Sequence, residues 1–206
     1  MVSKIDVAWD LFLEGKTSEA KKLVEQDFSI DTCTDFSLLN LMGYLLLAEK
    51  DYASCTRIFE KYILLAQQNE DKEHEHIGLH QLAMIYREQG NFHKALKLIE
   101  NEEEIIEEHF PNDNLKKAVN NYEQGYVRLK LNNLDEALTF MNLSLEQSLE
   151  TDDVISQACS YRGLGEIYLA LEDTELSNRH FKRAIELFES VEEFEGIKEI
   201  EELMNE

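Results

Sequence analysis

The sequence contains little proline, glycine or cysteine: one Pro, eight Gly and three Cys in 206 residues. So few breakers argue against long disordered linkers, because such segments are rich in proline, glycine and polar residues. The cysteines, Cys33, Cys55 and Cys159, have neither a disulfide-framework nor a metal-binding spacing. Their pattern favours a reducing, cytoplasmic compartment.

Basic residues are scarce as well. There are 20 Lys and Arg against 43 Asp and Glu, which gives a net charge of −23. Nucleic acids and anionic membranes bind basic surfaces, so we expect neither as a partner. The acids have two interpretations: they coat solvent-facing helices, as charge runs commonly do, or they attract basic partners. The clearest acidic runs are residues 100–108 and the segment after Val191.

Long apolar runs are also missing. None approaches the ~20 residues that a membrane-spanning helix needs. The N-terminal segment has acids inside its apolar stretch, unlike a signal peptide. No alternating β-branched run bounded by turns predicts a strand. Hydrophobic residues nevertheless make up 43% of the chain, enough for a substantial core, and almost the whole sequence has helical periodicity.

What the sequence does contain is a recurring pair of small residues twelve positions apart. The pairs are Ala8/Ala20, Gly43/Cys55, Ala83/Ala95, Gly125/Ala137 and Gly165/Ser177. Four residues after each pair comes a large apolar residue, in order Val24, Phe59, Ile99, Met141 and Phe181. Small residues let two helices approach closely, and a large neighbour fills the space beside them. A fixed spacing repeated along the chain predicts a repeat architecture.

Each small pair spans a break in the helical periodicity. The breaks are Gly15-Lys16, Lys50-Asp51, Gly90-Asn91, Asn132-Asn133 and Glu172-Asp173. Gly, Asn and Asp suit helix caps, so the pattern predicts five helix pairs and a last helix near 192–205. That helix places Phe194, Ile197, Ile200 and Leu203 on one stripe, which we expect to cover the final repeat.

Three repeats carry a recognisable set of residues. These are Gly43, Leu46, Cys55 and Phe59, then Ala83, Tyr86, Gly90, Ala95 and Ile99, then Gly165, Tyr168, Ser177, Phe181 and Ala184. On these residues the chain resembles a tetratricopeptide repeat (TPR) protein, whose units of about 34 residues are antiparallel helix pairs. The resemblance implies an all-α, right-handed α-α superhelix of five helix pairs plus a C-terminal capping helix. The expected units of this single domain lie near 1–35, 36–75, 76–117, 118–157 and 158–190, with the cap at 191–206.

The sequence departs from the TPR pattern in three ways. The units are lengthened to about 40 residues, which resembles the repeats of bacterial peptide-sensing regulators (Rap, PlcR and PrgX type) and of kinesin light chains. The N-terminal effector domains of those regulators are not expected here, because the first repeat begins almost at once. Gln124 and Arg128 stand where the family has large apolar residues. Asp27, Tyr62 and Glu102 replace a small residue, so looser packing or a shifted register is expected there; Ser144 and Ala184 keep it small.

The resemblance also implies where a ligand would bind, because the first helix of each TPR pair lines a concave groove. The positions that it places there are Trp9, Phe12, Asn40, Tyr44, His80, Met84, Arg87, Tyr122, Tyr126, Lys130, Arg162 and Glu166. Aromatics and Arg, with Asn to hold a peptide backbone, are typical of a recognition surface. The alternative is that this face folds inward, so that the aromatics pack on one another or on a neighbouring chain. The carboxylate clamp of chaperone-binding TPR domains is not expected, since Ile5 and Trp9 replace its Lys and Asn.

The sequence gives little support for a metal site or an enzymatic reaction. His76 and His80 are four residues apart on one helix, a spacing that can begin a zinc site, but no third ligand is evident. There is no Gly-rich phosphate loop, G-x-S-x-G motif or catalytic cysteine setting. We therefore expect no metal, no cofactor and no enzymatic activity.

These observations predict a non-catalytic, cytoplasmic, bacterial module that captures a protein or peptide segment in its groove. The first alternative is a self-associating scaffold, a homodimer formed through a terminal repeat or the capping helix. A second and weaker one is a phosphatase-like regulator of a partner protein, as in some peptide-sensing regulators.

Overall fold

The computed structural model describes residues 3–205, and this part of the chain consists of helices and short connections with no strand. The helices are α1 (Lys4–Leu13), α2 (Thr17–Val24), α3 (Phe36–Ala48), α4 (Tyr52–Gln68), α5 (Lys72–Glu88), α6 (Phe92–His109), α7 (Asn114–Lys130), α8 (Leu134–Leu149), α9 (Val154–Ala170), α10 (Thr174–Ser190) and α11 (Phe194–Met204). The all-α prediction is confirmed. The terminal helix forms within the range expected for it.

The chain divides into two compact units. The first runs to Asn91 and contains α1–α5, and the second starts at Phe92 and contains α6–α11. Within the first unit, α1 packs on α2, α3 on α4, and α4 on α5. Within the second unit, α7/α8 and α9/α10 form the most extensive helix pairs, α6 packs on α7, and α11 packs on α10. The single solenoid domain with the unit boundaries given above stays a prediction.

Six helices of the described chain begin with the same device. An Asp side chain at the N-cap accepts a hydrogen bond from the backbone N–H three residues further on, at Asp35, Asp51, Asp71, Asp113, Asp153 and Asp173. The carboxylate satisfies an N–H group that has no partner within the helix, and its charge interacts favourably with the helix dipole. Part of the chain's acidity therefore has a structural role.

The five predicted breaks are confirmed by the backbone. Each has a residue with positive φ at its first position: Gly15 (76°), Lys50 (59°), Gly90 (71°), Asn132 (62°) and Glu172 (61°). In each case the next residue donates its N–H to a carbonyl five residues earlier, at 2.8 to 3.0 Å. This left-handed C-cap satisfies the last carbonyls of the helix before the break and ends that helix.

The small pairs mark sites of close helix contact. A Cβ added to Gly43 would lie 2.4 Å from the ring of Phe59, and one added to Gly165 would lie equally close to Phe181. The second small residue of the last pair is hydrogen-bonded as well, because Ser177 Oγ donates to the Gly165 carbonyl at 2.9 Å. In these hairpins the predicted large residue fills the space that glycine leaves.

Either looser packing or a shifted register was expected where Tyr62 and Glu102 replace a small residue, and looser packing is wrong at these two positions. Both side chains are only 2% exposed. The following helix makes room for Tyr62, since a Cβ on Gly78 would lie 2.9 Å from its ring. Glu102 is instead matched by a polar neighbour, because Asn120 Nδ2 donates to its carboxylate at 3.1 Å.

The apolar residues that the TPR pattern expects in α7 are replaced by a buried ladder of polar side chains. Gln124 is fully buried, donates to Asn120 Oδ1 at 3.0 Å and accepts from Arg128 at 2.8 Å. Arg128 also pairs with Glu100 and Glu136, at 3.2 and 3.1 Å. Each buried polar group of the ladder has a partner, so the register of this repeat is held by hydrogen bonds.

The last helix covers α9 and α10 with part of its predicted stripe. Ile200 is fully buried, and Ile197 and Leu203 pack against the same core. Phe194 was expected on this stripe, but it is 69% exposed. It is the first residue of the helix, and Gly196 takes the contact with α10: a Cβ there would lie 2.8 Å from the ring of Phe188.

Candidate functional site

The first unit brings three of the predicted site aromatics together. The rings of Trp9, Phe12 and Tyr44 lie 5.9 Å apart, centroid to centroid, in all three pairings. Trp9 Nε1 donates to Ser37 Oγ at 2.9 Å, and the Tyr44 hydroxyl accepts from Gln81 Nε2 at 2.8 Å. Burial raises the pKa of the Tyr44 hydroxyl, although the Gln81 hydrogen bond opposes the shift. The rings pack on one another and remain half-exposed.

The other predicted site residues of the first unit lie on α3 and α5. Asn40, His80, Met84 and Arg87 are each half-buried. The carbonyl oxygen of the Asn40 side chain is buried and accepts no hydrogen bond within residues 3–205. An amide in this state is suited to accept from a ligand's backbone N–H. Arg87 lies 3.4 Å from the carboxylate of its neighbour Glu88.

The second unit joins all five of its predicted site residues into one connected group, which we call the α7/α9 cluster: Tyr122, Tyr126, Lys130, Arg162 and Glu166. Tyr122 and Tyr126 are stacked with centroids 6.2 Å apart, and Lys130 Nζ lies over the Tyr126 ring at 4.7 Å. Arg162 donates to the Tyr122 hydroxyl at 2.6 Å. Glu166 lies between the two cations, 3.6 Å from Lys130 and 3.8 Å from Arg162.

The cluster alternates aromatic, cationic and anionic groups within a partly desolvated face. Burial raises the pKa of the Tyr122 hydroxyl, and Arg162 only partly offsets it, so the phenol stays neutral. Burial also raises the pKa of the Glu166 carboxyl against the opposing effect of Lys130 and Arg162. Lys130 is the exposed member, while the other four are half-buried. Such a face offers ring surface, hydrogen-bond donors and charge to a ligand.

Sequence reasoning missed the contribution of α11 to this surface. Glu199 forms an ion pair with Arg162. Leu203 lines, with Leu129 and Leu169, a cavity of about 390 Å³ that also contacts Lys130 and Glu166. The helical stripe did indicate that Leu203 faces the protein, but no sequence signal connects Glu199 to an arginine on another helix.

The structure shows where the predicted histidine pair lies and how long and apolar the helices are. His76 is buried on α5 and His80 is half-buried on the same helix. Within residues 3–205, no group of three or more His, Cys, Asp and Glu side chains is arranged to hold a metal ion. No helix of that range combines the length and apolar character needed to cross a bilayer.

Comparison with known proteins identifies the fold. Residues 116–190 match the tetratricopeptide repeat family, a stretch that contains α8, α9, α10 and most of α7. No curated protein matches the sequence significantly.

Solved structures resemble nearly the whole chain. BtubC (BKLC) from P. vanneervenii has a TM-score of 0.73 at 16% identity, covering 92% of this chain and 80% of that one. A putative kinesin light chain of Podosopora anserina with nearly identical TPR-like repeats has a TM-score of 0.68 at 16% identity, covering 91% and 94%. MamA from Desulfovibrio magneticus RS-1 has a TM-score of 0.61 at 17% identity, covering 92% and 98%.

At such low identities these likenesses establish the fold and nothing of the partner. The TPR-like solenoid class inferred from the small pairs is confirmed. The closer resemblance to peptide-sensing regulators stays a prediction, as do the groove positions.

Proposed function

We propose that this chain is a non-catalytic interaction module that holds a peptide or protein segment against the first helices of its hairpins. The observation that carries the proposal is the α7/α9 cluster. Its five residues were selected by repeat position alone, and they form one partly accessible network at a cavity of about 390 Å³ that has both apolar and charged lining residues. The TPR-like fold supports protein partners in general.

The cluster favours a segment with one apolar side chain and a nearby carboxylate. Leu129, Leu169 and Leu203 offer apolar surface in the cavity. Lys130, which is exposed, offers a charge at the edge of that cavity. In the first unit, the buried side-chain oxygen of Asn40 supplies an acceptor suited to a peptide N–H.

The experiment is a selection of random peptides displayed on phage against the immobilised chain, followed by titration of the selected peptides. Tyr126→Ala and Lys130→Ala should each weaken binding by about tenfold or more, as loss of a central contact does. Lys97→Ala is the matched control, since Lys97 is an exposed lysine on α6 and not part of the cluster. Equal affinity for all three variants would refute the assignment of this surface.

Self-association is the second candidate, and one observation favours it: Phe194, at the start of α11, exposes 69% of its surface. An aromatic in this position can pack against a second copy. Sedimentation at several concentrations distinguishes the two proposals. A dimer that becomes monomeric in Phe194→Ser would support the scaffold, whereas a monomer at every concentration would exclude it.

A further inference from the structure

The second unit has a groove beside α10 whose charge is opposite to that of the chain. The groove is a cavity of about 580 Å³ beside α10, and we call it the α10 groove. Its lining includes Arg179, Lys182 and Arg183 from α10, Tyr161 from α9 and Leu145 from α8. None of these residues belongs to the α7/α9 cluster. The groove is therefore separate from the surface proposed above.

The spacing of α10 explains why its cations converge. Residues three and four apart share a helix face, so Arg179, Lys182 and Arg183 point the same way. The opposite face of α10 holds its buried stripe, which includes Phe181 and Phe188. The three cations are consequently fixed on the exposed side by the packing of the helix, and all three are exposed.

Two of the three cations are available to a ligand. Arg183 pairs with Glu186 at 3.0 Å. Arg179 and Lys182 make no ion pair within the described residues 3–205. The groove therefore presents unneutralised positive charge.

The floor of the groove is aromatic. His180 lies between two tyrosine rings, with centroids 6.0 Å from Tyr161 and 5.3 Å from Tyr168. Burial lowers the pKa of His180, and the charge of Arg179 lowers it further, so the ring is neutral at pH 7. His180 thus acts as a flat platform, and the positive charge comes from Arg179 and Lys182. Leu145 extends the apolar surface on the side of α8.

We propose that the α10 groove is a second binding site, which takes an acidic peptide segment of a partner protein with an apolar side chain at its centre. The carboxylates pair with Arg179 and Lys182, and the apolar side chain packs on Tyr161, His180 and Leu145. A small anion fits less well, because the cations are exposed on one helix and a single exposed ion pair is weak. At physiological salt the Debye length is about 8 Å, so the local cations outweigh the distant acids of the chain.

The test uses a fluorescein-labelled pool of hexapeptides with Asp or Glu at five positions and Leu or Phe at the third. Binding to the full chain is followed by fluorescence polarisation. Arg179→Ala/Lys182→Ala should weaken binding of the pool by about tenfold, the product of two exposed ion pairs. The matched control, Lys97→Ala/Lys117→Ala, makes the same change in net charge on α6 and α7 and should leave the affinity within about twofold.

Further measurements test the other possible occupants of the α10 groove. A pool with Asn and Gln in place of the acids should not bind, and Glu186→Gln should strengthen acidic binding by about twofold because it releases Arg183. Tyr126→Ala should leave binding of the pool unchanged, which keeps this result independent of the α7/α9 cluster. The proposal is overturned if the acidic pool fails to bind, if both double variants lose affinity equally, or if inorganic phosphate competes at the same concentration as the pool. It is also overturned if the Arg179→Ala/Lys182→Ala change instead dissociates a dimer of the chain, since the occupant would then be a second copy.

Discussion

At the scale of single residues, the close contacts between helices require glycine, because glycine has no Cβ. Gly165→Ala would place a Cβ 2.4 Å from Cδ1 of Phe181, so the ring or the helix must shift. We expect the free energy of unfolding to fall by about 1–3 kcal/mol, the usual cost of overpacking a core. Urea denaturation measures the loss.

The steric origin of that loss can be checked with a second substitution. In the background of Phe181→Leu, which removes the ring atoms concerned, the same Gly165→Ala change should cost less. If its cost is equal in both backgrounds, the loss comes from the backbone and not from the contact with the ring.

The buried carboxyl of Glu166 predicts a pH dependence. Its pKa is raised above the ordinary value of 4.5, so the folded state holds this proton more tightly than the unfolded state does. The contribution to stability is present below pH 4.5 and is lost as the pH rises through the raised value. Stability of Glu166→Gln relative to the natural chain should therefore increase as the pH rises from 4.5 through the raised pKa of Glu166.

Paired urea titrations of the two chains across that pH range measure the difference, in which the titration of the other acids cancels. A relative stability that falls as the pH rises would show that the pairs with Lys130 and Arg162 outweigh burial. The pKa of Glu166 would then be depressed, contrary to the present argument.

At the scale of helices and turns, a residue other than glycine in a left-handed cap has a strained backbone conformation. Lys50 has φ 59°, where a side chain costs about 1 kcal/mol relative to glycine. Lys50→Gly should therefore raise the free energy of unfolding by up to ~1 kcal/mol. Gly90→Ala, at φ 71°, should lower it by a similar amount.

Charge and backbone effects at Lys50 are separated by Lys50→Ala, which removes the ammonium group and keeps the strained conformation. The gap between the Ala and Gly variants in thermal or urea unfolding gives the backbone part alone. A gap near zero would mean that this turn relaxes to another conformation at little cost.

The polar ladder of α7 predicts that replacing one of its buried polar residues by a more hydrophobic one destabilises the protein. Gln124→Leu leaves the Asn120 oxygen without its donor and an Arg128 N–H without its acceptor, both buried. We expect a loss of about 1–3 kcal/mol. In Gln124→Leu/Arg128→Met the guanidinium is gone and its partners Glu100 and Glu136 are solvated, so the total loss should be smaller than the sum of the two single losses. Additive losses in a double-mutant cycle would contradict the coupling.

These elements also show how far the sequence can predict the structure. The breaks at Lys50 and Glu172 were predictable because cap chemistry is local, and the contact of Gly165 with Phe181 follows from a spacing within one hairpin. The sequence showed that Gln124 departs from the TPR pattern. Its hydrogen bond to Asn120, and the contacts of this ladder with acids of α6, depend on how α6 and α7 pack, which the sequence does not give.

The candidate site follows the same rule. Repeat position was enough to select the α7/α9 cluster, because equivalent residues of neighbouring first helices share a face. It was not enough to find Glu199, whose pairing with Arg162 depends on how α11 docks on α9. The packing of the three aromatics of the first unit on one another was left open by the sequence for the same reason.

At the scale of the whole molecule, the dominant quantity is the net charge of −23. Within residues 3–205, seven acids cap helices at the N-cap position and others pair with cations, yet 43 acids facing 20 bases in the chain leave a large excess. Folding brings these like charges closer than they are in the unfolded chain, so their repulsion destabilises the folded state. Salt screens this repulsion, since the Debye length falls from about 30 Å at 0.01 M to about 8 Å at 0.15 M.

We therefore expect the free energy of unfolding to increase between 10 and 150 mM NaCl, on the order of 1 kcal/mol, and then to level off. The double variant Glu104→Lys/Glu107→Lys changes two exposed acids of the acidic run in α6 and makes the net charge less negative by four. The increase in the free energy of unfolding with NaCl should then be smaller. Urea titrations at several salt concentrations measure both slopes, and sodium sulfate at equal ionic strength separates screening from stronger apolar burial. A stability that falls with NaCl would mean that ion pairs such as Arg128 with Glu100 and Glu136 outweigh the repulsion among the excess acids.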